Sequence, residues 1–562
     1  MSNERPWLEH YPEGVPAQID VDAYASVAAV LDEAFARFRE RPAFQSFGKR
    51  LSYGQIDAMS RRFAGYLTGA LKLGKGDRIA IMMPNVLQYP IALFGALRAG
   101  LVVVNTNPMY TARELRHQLQ DSGAKAIVVL DNFAHTLQQV IADTEVEHVV
   151  TTGIGDLLGF PKGPLINFVL RRVKKMVPPF RLPQAVRFRD ALARGAAYPL
   201  PEVALGHDDL AFLQYTGGTT GVAKGAMLSH GNMVANMLQV DAWIGETLNP
   251  GNEVAIGALP LYHIFSLTAC GMVFVRLGAC TVLITNPRDM PGFVKELKKV
   301  PFSILPGVNT LFNGLLNTPG FAELDFSHMK ISLGGGMAVQ RAVAERWKKV
   351  TGCALSEAYG LTETSPGVCI NPVDLKDYNG SIGLPLPSTD VAIWSEENRP
   401  LPIGDVGELM VKGPQVMQGY WRRPEETARV LGTDGWLHTG DIAKMDQDGY
   451  VYIVDRKKDM ILVSGFNVYP NEVEDVVMQH PGVLEVAAIG MPDEHSGEVV
   501  KLFVVRKDPA LTEEALKQFC HDNLTGYKRP RAIEFRDALP KSNVGKILRR
   551  ELRDENKAAA PA

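Results

Sequence analysis

Cysteine is scarce in this sequence: five occur in 562 residues, and no two of them form a C-x-x-C pair. Structural zinc sites and disulfide frameworks depend on regular cysteine spacing, so neither is expected. A scattered, odd number of cysteines is typical of reduced thiols in a cytosolic protein. The residues concerned are Cys270, Cys280, Cys353, Cys369 and Cys520.

Long apolar runs and a strong net charge are also missing. The nearest candidate for a membrane span, residues 268–285, is interrupted by Arg276, so no span is predicted. The N-terminus, MSNERPWLEHYPEG, is polar and lacks the pattern of a secretory signal. The formal net charge of −3 provides no basic field that would attract nucleic acid. We therefore expect a cytoplasmic protein that does not bind nucleic acid.

Short β-branched runs alternate with helix-length amphipathic stretches over the first two-thirds of the chain. RIAIMM (78–83) and KAIVVL (125–130) are examples of the runs, and TARELRHQLQ spaces its apolar residues as on one face of a helix. This alternation predicts an α/β fold of layered helices and largely parallel sheets. The length is sufficient for several folding units.

The pattern changes twice towards the C-terminus. From about residue 380, turn signals such as GDVGE and DQDGY separate short strand-like runs, which indicates a β-rich subdomain. After the charged cluster DRKKD (455–459), helical and strand patterns return. We predict a large N-terminal domain over residues 1–455, made of layered α/β subdomains and the β-rich subdomain. A small mobile α+β domain is predicted over residues 456–562.

The stretch YTGGTTGVAKG, residues 215–225, surrounds a single lysine with glycines and threonine hydroxyls. Backbone N–H groups of a glycine-rich turn can approach phosphate oxygens, and Lys224 adds a positive charge. The stretch is not a Walker A loop, because Lys224 follows Ala223 and precedes Gly225. The alternative is a plain surface loop between a strand, LAFLQY, and a helix, HGNMVANMLQV.

The order of residues in this stretch, YTGGTTGVAKGAMLSHGN, closely resembles the phosphate loop of the adenylate-forming superfamily. It departs from the commonest form at Gly218, where serine is frequent, and at Ala223, where proline is. Further stretches that resemble superfamily motifs follow in order: LPLYHIFSL (259–267), LGGG (333–336), EAYGLTET (357–364), GWLHTGD (435–441), DRKKDMI (455–461) and PKSNVGKILRR (540–550). The block 434–461 is similar to the signature of fatty acyl-CoA synthetases, and WLEHYPEGVPAQI resembles their bacterial long-chain members.

This resemblance implies ATP-dependent activation of long-chain fatty acids to fatty acyl-CoA. The implied route passes through an acyl-adenylate, releases pyrophosphate and AMP, and feeds fatty acid degradation. ATP, Mg²⁺ and coenzyme A are the implied cofactors. Because the fatty carboxylate attacks the α-phosphorus directly, positioning and charge neutralisation matter more in this step than proton transfer.

The resemblance also implies roles for individual residues. The implied ATP-binding residues are Thr216, Gly217, Gly218, Thr219, Thr220, Gly221, Lys224, Gly334, Gly335, Gly336, Ala358, Tyr359, Gly360, Thr362, Asp441, Arg456 and Lys546. The implied acyl-pocket residues are Tyr262, His263, Phe265, Val308 and Leu333. Ser464, Gly465 and Phe466 would contact coenzyme A, and Lys458 would be the pivot between the domains. Thr216 and Glu363 would bind Mg²⁺, and the catalytic set would be Lys546, Lys224, Glu363 and His263.

Each of these residues also has a simpler interpretation. Glu363 fits a helix cap, Asp441 a turn, Tyr359 the core and His263 a packed histidine, while Lys546 lies in a basic stretch typical of a solvated surface. As an ordered set, they favour the catalytic interpretation.

One stretch predicts contact with the inner membrane surface. In LINFVLRRVKKMVPP (165–179), a helix ended by Pro178 and Pro179 would separate an apolar side from a basic side. The apolar residues are Ile166, Val169, Leu170, Val173 and Val177, and the basic residues are Arg171, Arg172, Lys174 and Lys175. Such a helix suits an anionic bilayer, although a surface helix packed on the core fits equally well. A homodimer is a further possibility.

Other functions stay open at this point. An adenylate-forming enzyme with another substrate is one, such as a medium-chain or aryl acid–CoA ligase, a luciferase-like monooxygenase or a carrier-protein acylating domain. The block 434–461 disfavours the aryl and carrier-protein versions. An inactive acyl- or nucleotide-binding protein is another, which the presence of Lys224, Glu363, Asp441 and Lys546 disfavours.

Overall fold

The computed structural model describes residues 5–200, 202–216, 223–493 and 495–559. The strands are β1 Pro42–Ser46, β2 Lys49–Ser52, β3 Arg78–Met82, β4 Val102–Asn105, β5 Ala126–Leu130, β6 His148–Thr152, β7 Val186–Arg187, β8 Leu210–Thr216, β9 Lys224–Ser229, β10 Val254–Gly257, β11 Cys280–Leu283, β12 Ile304–Gly307, β13 Ile331–Gly335, β14 Leu355–Gly360, β15 Gly367–Ile370, β16 Leu384–Pro385, β17 Asp390–Trp394, β18 Gly407–Lys412, β19 Leu437–Met445, β20 Val451–Arg456, β21 Ile461–Val463, β22 Phe466–Val468, β23 Val483–Asp493, β24 Gly497–Arg506 and β25 Ala532–Arg536. The helices are α1 Val27–Arg37, α2 Tyr53–Gly65, α3 Gln88–Arg98, α4 Ala112–Ser122, α5 Ala134–Gln138, α6 Lys162–Phe168, α7 Phe188–Gly195, α8 His230–Ile244, α9 Ile264–Thr268, α10 Phe274–Arg276, α11 Met290–Leu297, α12 Asn309–Leu316, α13 Arg341–Thr351, α14 Pro424–Val430, α15 Pro470–Val477, α16 Glu513–Asn523 and α17 Arg549–Ala559.

Local sequence signals set many of these boundaries. Helix α4 begins after Thr111, whose Oγ1 accepts from the N–H of Glu114 at 3.4 Å, while the Glu114 carboxylate accepts from the N–H of Thr111 at 2.8 Å. This reciprocal pair satisfies two of the N–H groups that the first turn leaves unbonded. The helix ends at Gly123, which has a φ of 61° that glycine adopts without strain.

Two large sheets with parallel centres form the main body. One has the strand order β7-β6-β5-β3-β4-β8-β9, and the other β16-β15-β14-β13-β12-β10-β11-β1-β2. Their central strands pair in parallel. The antiparallel strands β2, β9 and β16 form three of the four edges, and β7 at the fourth edge is parallel to β6. The predicted α/β fold with largely parallel sheets is therefore confirmed. Carboxyl ends of neighbouring parallel strands meet at one edge, which is where such folds place their ligands.

Two smaller sheets follow in the chain. Strands β17 to β20 form an antiparallel sheet in the predicted β-rich region. Strands β21 to β25 form a five-stranded sheet that packs with α15, α16 and α17 around its own apolar clusters, and we call this unit the small domain. Strand β20 ends at Arg456 and β21 begins at Ile461, so the connection is short. The division at residues 455 and 456 stays a prediction.

The stretch LAFLQY forms β8 and HGNMVANMLQV begins α8, as expected, but strand β9 lies between them and pairs antiparallel with β8. One local expectation was wrong: the basic helix does not run from 165 to 179. Helix α6 continues as a wider turn only to Val173, because Lys175 has a φ of 50° that ends regular helix before the prolines are reached.

The structure also bears on the predictions about membrane spans and disulfides. No helix within the described ranges is long and apolar enough to cross a membrane. All five cysteines lie in the described part of the chain, and none of them forms a disulfide.

Candidate functional site

A cavity of about 1200 Å³ lies where the two large sheets, the antiparallel sheet and the small domain meet. It collects most of the residues that the motifs singled out. The predicted residues that line it are Thr216, Lys224, Tyr262, His263, Phe265, Val308, Leu333, Gly335, Gly336, Ala358, Tyr359, Gly360, Thr362, Glu363, Asp441, Arg456, Lys458 and Lys546. Residues far apart in the sequence are thus brought to one surface. Gly217, Gly218, Thr219, Thr220 and Gly221 lie outside the described residues.

Strand ends supply the floor of the cavity. Strands β13 and β14 run in parallel and end at Gly335 and Gly360. A Cβ atom on Gly335 would lie 3.0 Å from the Ala358 oxygen and 3.1 Å from the Phe265 ring, so a side chain here would force its neighbours to shift by a few tenths of an ångström. Gly334 packs inside the strand and does not line the cavity.

The antiparallel sheet places a carboxylate on the wall. Asp441 on β19 lies opposite Arg456 on β20, and its Oδ1 is 3.7 Å from Arg456 Nε. Its Oδ2 accepts a hydrogen bond of 2.5 Å from the hydroxyl of Tyr359. Burial, reinforced by Asp441, raises the pKa of Tyr359 well above its ordinary value, so the hydroxyl keeps its proton and remains a donor. Asp441 is therefore held rigidly beside a flat aromatic ring.

Lys224 and Glu363 are joined through a residue that the sequence interpretation missed. Tyr420 donates its hydroxyl to Glu363 Oε1 at 2.7 Å, and Lys224 Nζ lies 4.9 Å from the centre of the Tyr420 ring. Lys224 also forms an ion pair with Glu426 of α14, which lowers the pKa of that carboxyl. Thr216 lies directly opposite Lys224 in the β8–β9 ladder.

The segment that carries Tyr420 is attached to β9 by backbone hydrogen bonds. Met227 N–H donates to the Gly419 carbonyl at 2.9 Å, and Trp421 N–H donates to the Gly225 carbonyl at 2.8 Å. The paired segments are almost 200 positions apart in the sequence, so no local pattern predicts this contact. The only sequence signal was the aromatic pair after Gly419 in a turn-rich region.

Lys546 reaches the cavity on a loop of the small domain. Its backbone N–H donates to Ser542 Oγ at 3.1 Å, and the Thr310 hydroxyl of α12 donates to the carbonyl of Gly545 at 2.8 Å. Gly545 has a φ of 85°, and a Cβ there would lie 2.9 Å from Thr310 Oγ1. Burial, followed by repulsion from Arg456, lowers the pKa of Lys546 to about 7. The ammonium group is thus poorly solvated, and a negative charge nearby would stabilise it.

The side of the cavity predicted to hold an acyl chain is mostly apolar. Val308 and Leu333 are buried, and Tyr262, His263 and Phe265 are half-buried. His263 precedes α9 and its Nδ1 accepts from the N–H of Phe265 at 3.4 Å. Burial and the nearby Lys546 lower the pKa of His263 to about 4, so this imidazole is neutral near pH 7.

Glu357 is a buried carboxyl on the cavity wall that begins the EAYGLTET stretch but was given no role in the sequence analysis. Its Oε1 accepts from Val339 N–H at 3.0 Å, while Oε2 has no hydrogen-bond partner among the described residues. Burial raises the pKa of Glu357 to about 8, and Asp475 of the small domain adds to this shift. A protonated Glu357 at neutral pH follows from this environment.

Ser464, Gly465 and Phe466 lie away from the cavity. They form the tip of the β21–β22 hairpin, where Ser464 and Gly465 have φ values of 50° and 84°. The Phe466 side chain is 56% exposed and stacks on Tyr527 at 4.8 Å. The structure thus gathers the residues expected to handle ATP and acid, and leaves the residues expected to contact coenzyme A outside.

The family follows from comparison with known proteins. The AMP-binding enzyme family model matches residues 31–421, and the AMP-binding enzyme C-terminal domain model matches residues 472–546. The chain belongs to the AMP-binding enzyme family, which confirms the resemblance to adenylate-forming enzymes.

Similar proteins cover nearly the whole chain. It is 58% identical over 549 residues to a long-chain-fatty-acid–CoA ligase of Escherichia coli O6:H1, with 98% of each chain covered. It is 54% identical to the protein of that name from Haemophilus influenzae, with 99% of this chain and all of the other covered. Among solved structures, ATP-bound MatB from Rhodopseudomonas palustris superposes with a TM-score of 0.81 at 30% identity, over 94% of this chain and 99% of MatB.

Proposed function

We propose that this protein is a long-chain-fatty-acid–CoA ligase. The fatty carboxylate attacks the α-phosphorus of ATP, so that the acyl-adenylate forms as the bond to pyrophosphate breaks. The acyl group then passes to the thiol of coenzyme A, and AMP is released. The observation that carries the proposal is the position of Lys546 in the same cavity as Asp441, Tyr359 and Glu363. The identity to the Escherichia coli ligase supports the choice of substrate.

In the first half-reaction, the residues orient ATP and neutralise charge. The Tyr359 ring packs against the adenine, Asp441 and Arg456 bind the ribose hydroxyls, and Thr362 donates to the α-phosphate. Lys224, with the stretch 217–221, holds the β- and γ-phosphates. The Lys546 ammonium lies at the junction of carboxylate and phosphate, where negative charge builds up as the anhydride forms. The buried, neutral His263 leaves the acyl side apolar.

Mg²⁺ suits this donor set. The Thr216 hydroxyl and the Glu363 carboxylate are oxygen ligands, and Mg²⁺ is commonly bound by one or two such groups together with substrate phosphates. When bound, the ion would neutralise phosphate charge. The Tyr420 hydrogen bond would orient the Glu363 carboxylate.

The second half-reaction requires a different surface over the same acyl group. The small domain turns about Lys458 after pyrophosphate leaves, which withdraws Lys546 and brings the hairpin tip at 464–466 to the entrance used by coenzyme A. A few residues in a connection can absorb such a rotation. The short connection between β20 and β21 is the natural place for it.

The experiment that tests the function is AMP release in the presence of coenzyme A, measured with acids from acetate to oleate. Each methylene buried in an apolar pocket contributes about 0.8 kcal/mol, so kcat/KM is expected to rise with chain length. A benzoate-type acid as the best substrate would favour the aryl acid–CoA ligase alternative, and no AMP release with any acid would favour an inactive binding protein. That the acyl-CoA product feeds fatty acid degradation stays a prediction. Formation of a homodimer also stays a prediction.

We also propose peripheral contact with an anionic membrane, through a surface formed by Phe160, Leu165, Phe168, Arg172, Val173, Lys174, Lys175 and Met176. We call this the 160–176 patch. Its apolar members are more than half exposed, and Phe160 is 92% exposed. The stripe expected from the sequence differs, since Ile166, Val169 and Leu170 are half-buried. Basic residues beside exposed aromatic side chains suit the boundary between headgroups and acyl chains.

Arg171 has another role and is left out of the test. It contacts the buried Asp131 at 3.0 Å, so replacing it would disturb the fold. Replacing Arg172, Lys174 and Lys175 by glutamine is expected to reduce pelleting with phosphatidylglycerol vesicles several-fold and to leave activity on dissolved acids unchanged.

The matched control is glutamine at three exposed lysines of another surface, Lys295, Lys298 and Lys299. This control is expected to pellet as the original protein does. Equal pelleting of both triple variants would reject the 160–176 patch as the membrane contact.

A further inference from the structure

The connection to the small domain contains a buried charged contact. Asp455 lies on β20, paired with Ile442 of β19, so its backbone belongs to the antiparallel sheet of the large domain. Its side chain is fully buried and points to the small domain. There Asp455 Oδ2 accepts from Asn471 N–H at 2.8 Å, and Oδ1 accepts from Arg549 at 3.3 Å.

Arg549 is anchored inside the small domain. Its guanidinium donates twice to the Glu474 carboxylate, at 2.9 and 2.7 Å, and once to the Asn471 side chain. Glu474 and Asn471 are both on α15, so these bonds move with the small domain as a body. Arg549 begins α17 only three positions after Lys546. The position of Arg549 therefore helps to set the position of the Lys546 loop.

Asp455 and Asp459 lie on opposite sides of the proposed pivot, Lys458. Asp459 contacts Arg553 at 2.8 Å and Arg549 at 3.7 Å, and both arginines are on α17. A rotation about Lys458 leaves Asp459 close to its partners. The same rotation separates Asp455 from Asn471 and Arg549, because Asp455 stays with the large domain.

We infer that Asp455 is a positioning residue that holds the small domain in the arrangement in which Lys546 lines the cavity. The contact of Asp455 with Asn471 and Arg549 is then a releasable latch, made for acyl-adenylate formation and broken for thioester formation. This inference rests on the proposed two-position mechanism. Burial raises the pKa of Asp455 and Arg549 opposes that shift, so the ion pair offsets part of the cost of burying the carboxylate while the latch is closed.

Asp455→Asn is the sharpest test, because it keeps the shape and one acceptor oxygen but removes the charge. Pyrophosphate release without coenzyme A is expected to slow about tenfold, the effect of losing one hydrogen bond between charged groups. Thioester formation from supplied acyl-AMP and coenzyme A should be unchanged or faster. The ratio of the two rates is the decisive quantity, since a general loss of structure lowers both.

The matched control is Asp459→Asn, which removes a buried carboxylate of the same cluster on the other side of the pivot. It is expected to lower thermal stability and to leave the ratio unchanged. If Asp455→Asn does not accumulate as folded protein, Asn471→Ala carries the test through Arg549. This variant keeps the backbone N–H that donates to Asp455 but removes the side-chain oxygen that binds Arg549, so a smaller change of the ratio in the same direction is expected.

The latch is overturned if Asp455→Asn leaves the ratio unchanged, or if Asp459→Asn shifts it equally. Lys546→Ala in the same assays separates this from a failure of the proposed function. If Lys546→Ala slows acyl-adenylate formation much more than thioester formation, while Asp455→Asn leaves the ratio of the two rates unchanged, the latch alone is rejected. An equal loss of both half-reactions in Lys546→Ala rejects the two-position mechanism on which the latch depends.

Discussion

Replacing Lys546 by alanine is expected to slow acyl-adenylate formation about 1000-fold and to leave thioester formation from supplied acyl-AMP within a few-fold of normal. One charge about 4 Å from a unit negative charge interacts by ~4 kcal/mol at an effective dielectric constant of about 20. The Lys546 ammonium is poorly solvated in its seat, so more of this attraction is realised as the transition state develops negative charge. The measurements are pyrophosphate release without coenzyme A and acyl-CoA formation from acyl-AMP.

Lys541→Ala is the control for this result. Lys541 lies in the same basic segment but is paired with Glu485 at 2.5 Å, and its loss should affect neither half-reaction strongly. Comparable loss of both half-reactions in Lys546→Ala would contradict the role proposed for this lysine.

Lys458→Pro is expected to have the opposite effect on the two half-reactions, slowing thioester formation more than acyl-adenylate formation. Proline fixes φ and restricts the residue before it, here Lys457, so the connection can no longer absorb a large rotation. Thioester formation should slow about 100-fold, while acyl-adenylate formation, which uses the arrangement already present, should change only a few-fold. Single-turnover measurements of each half-reaction give both rates.

Lys458→Ala distinguishes backbone restriction from loss of the side chain. The alanine variant retains the rotational freedom of the backbone, so thioester formation should stay much closer to normal than in the proline variant. Equal slowing in the two variants, or equal slowing of both half-reactions by proline, would exclude Lys458 as the pivot.

Elements with local signals were predictable from the sequence. The parallel strands RIAIMM and KAIVVL and the helix after Thr111 follow from side-chain periodicity and capping, which depend on neighbours within a few positions. The motifs also identified much of the lining of the cavity, including Gly335, where the neighbouring backbone and ring leave little room for a side chain.

Contacts between distant segments were not predictable in this way. Strand β9 pairs with the neighbouring β8 on one side and with the segment around Tyr420 on the other, and only the first of these partners is local. Tyr420 and Glu426, which contact Lys224, were missed for the same reason. The pairing of Asp455 with Arg549 spans 94 positions, so only the folded arrangement shows it. The helix at 162–173 ended early because backbone geometry at Lys175 overrides a favourable apolar pattern.

The loop bearing Lys546 is also part of the cavity wall, fastened by the bond between Thr310 and Gly545. The Lys546 ammonium therefore enters the cavity only together with the loop that forms part of its wall. In the proposed two-position mechanism, one movement of the small domain has two effects, because it supplies the charge and adds a wall beside the bound substrates. Lifting the loop for the second half-reaction would remove the charge and the wall together, which couples the electrostatics of the chamber to its shape.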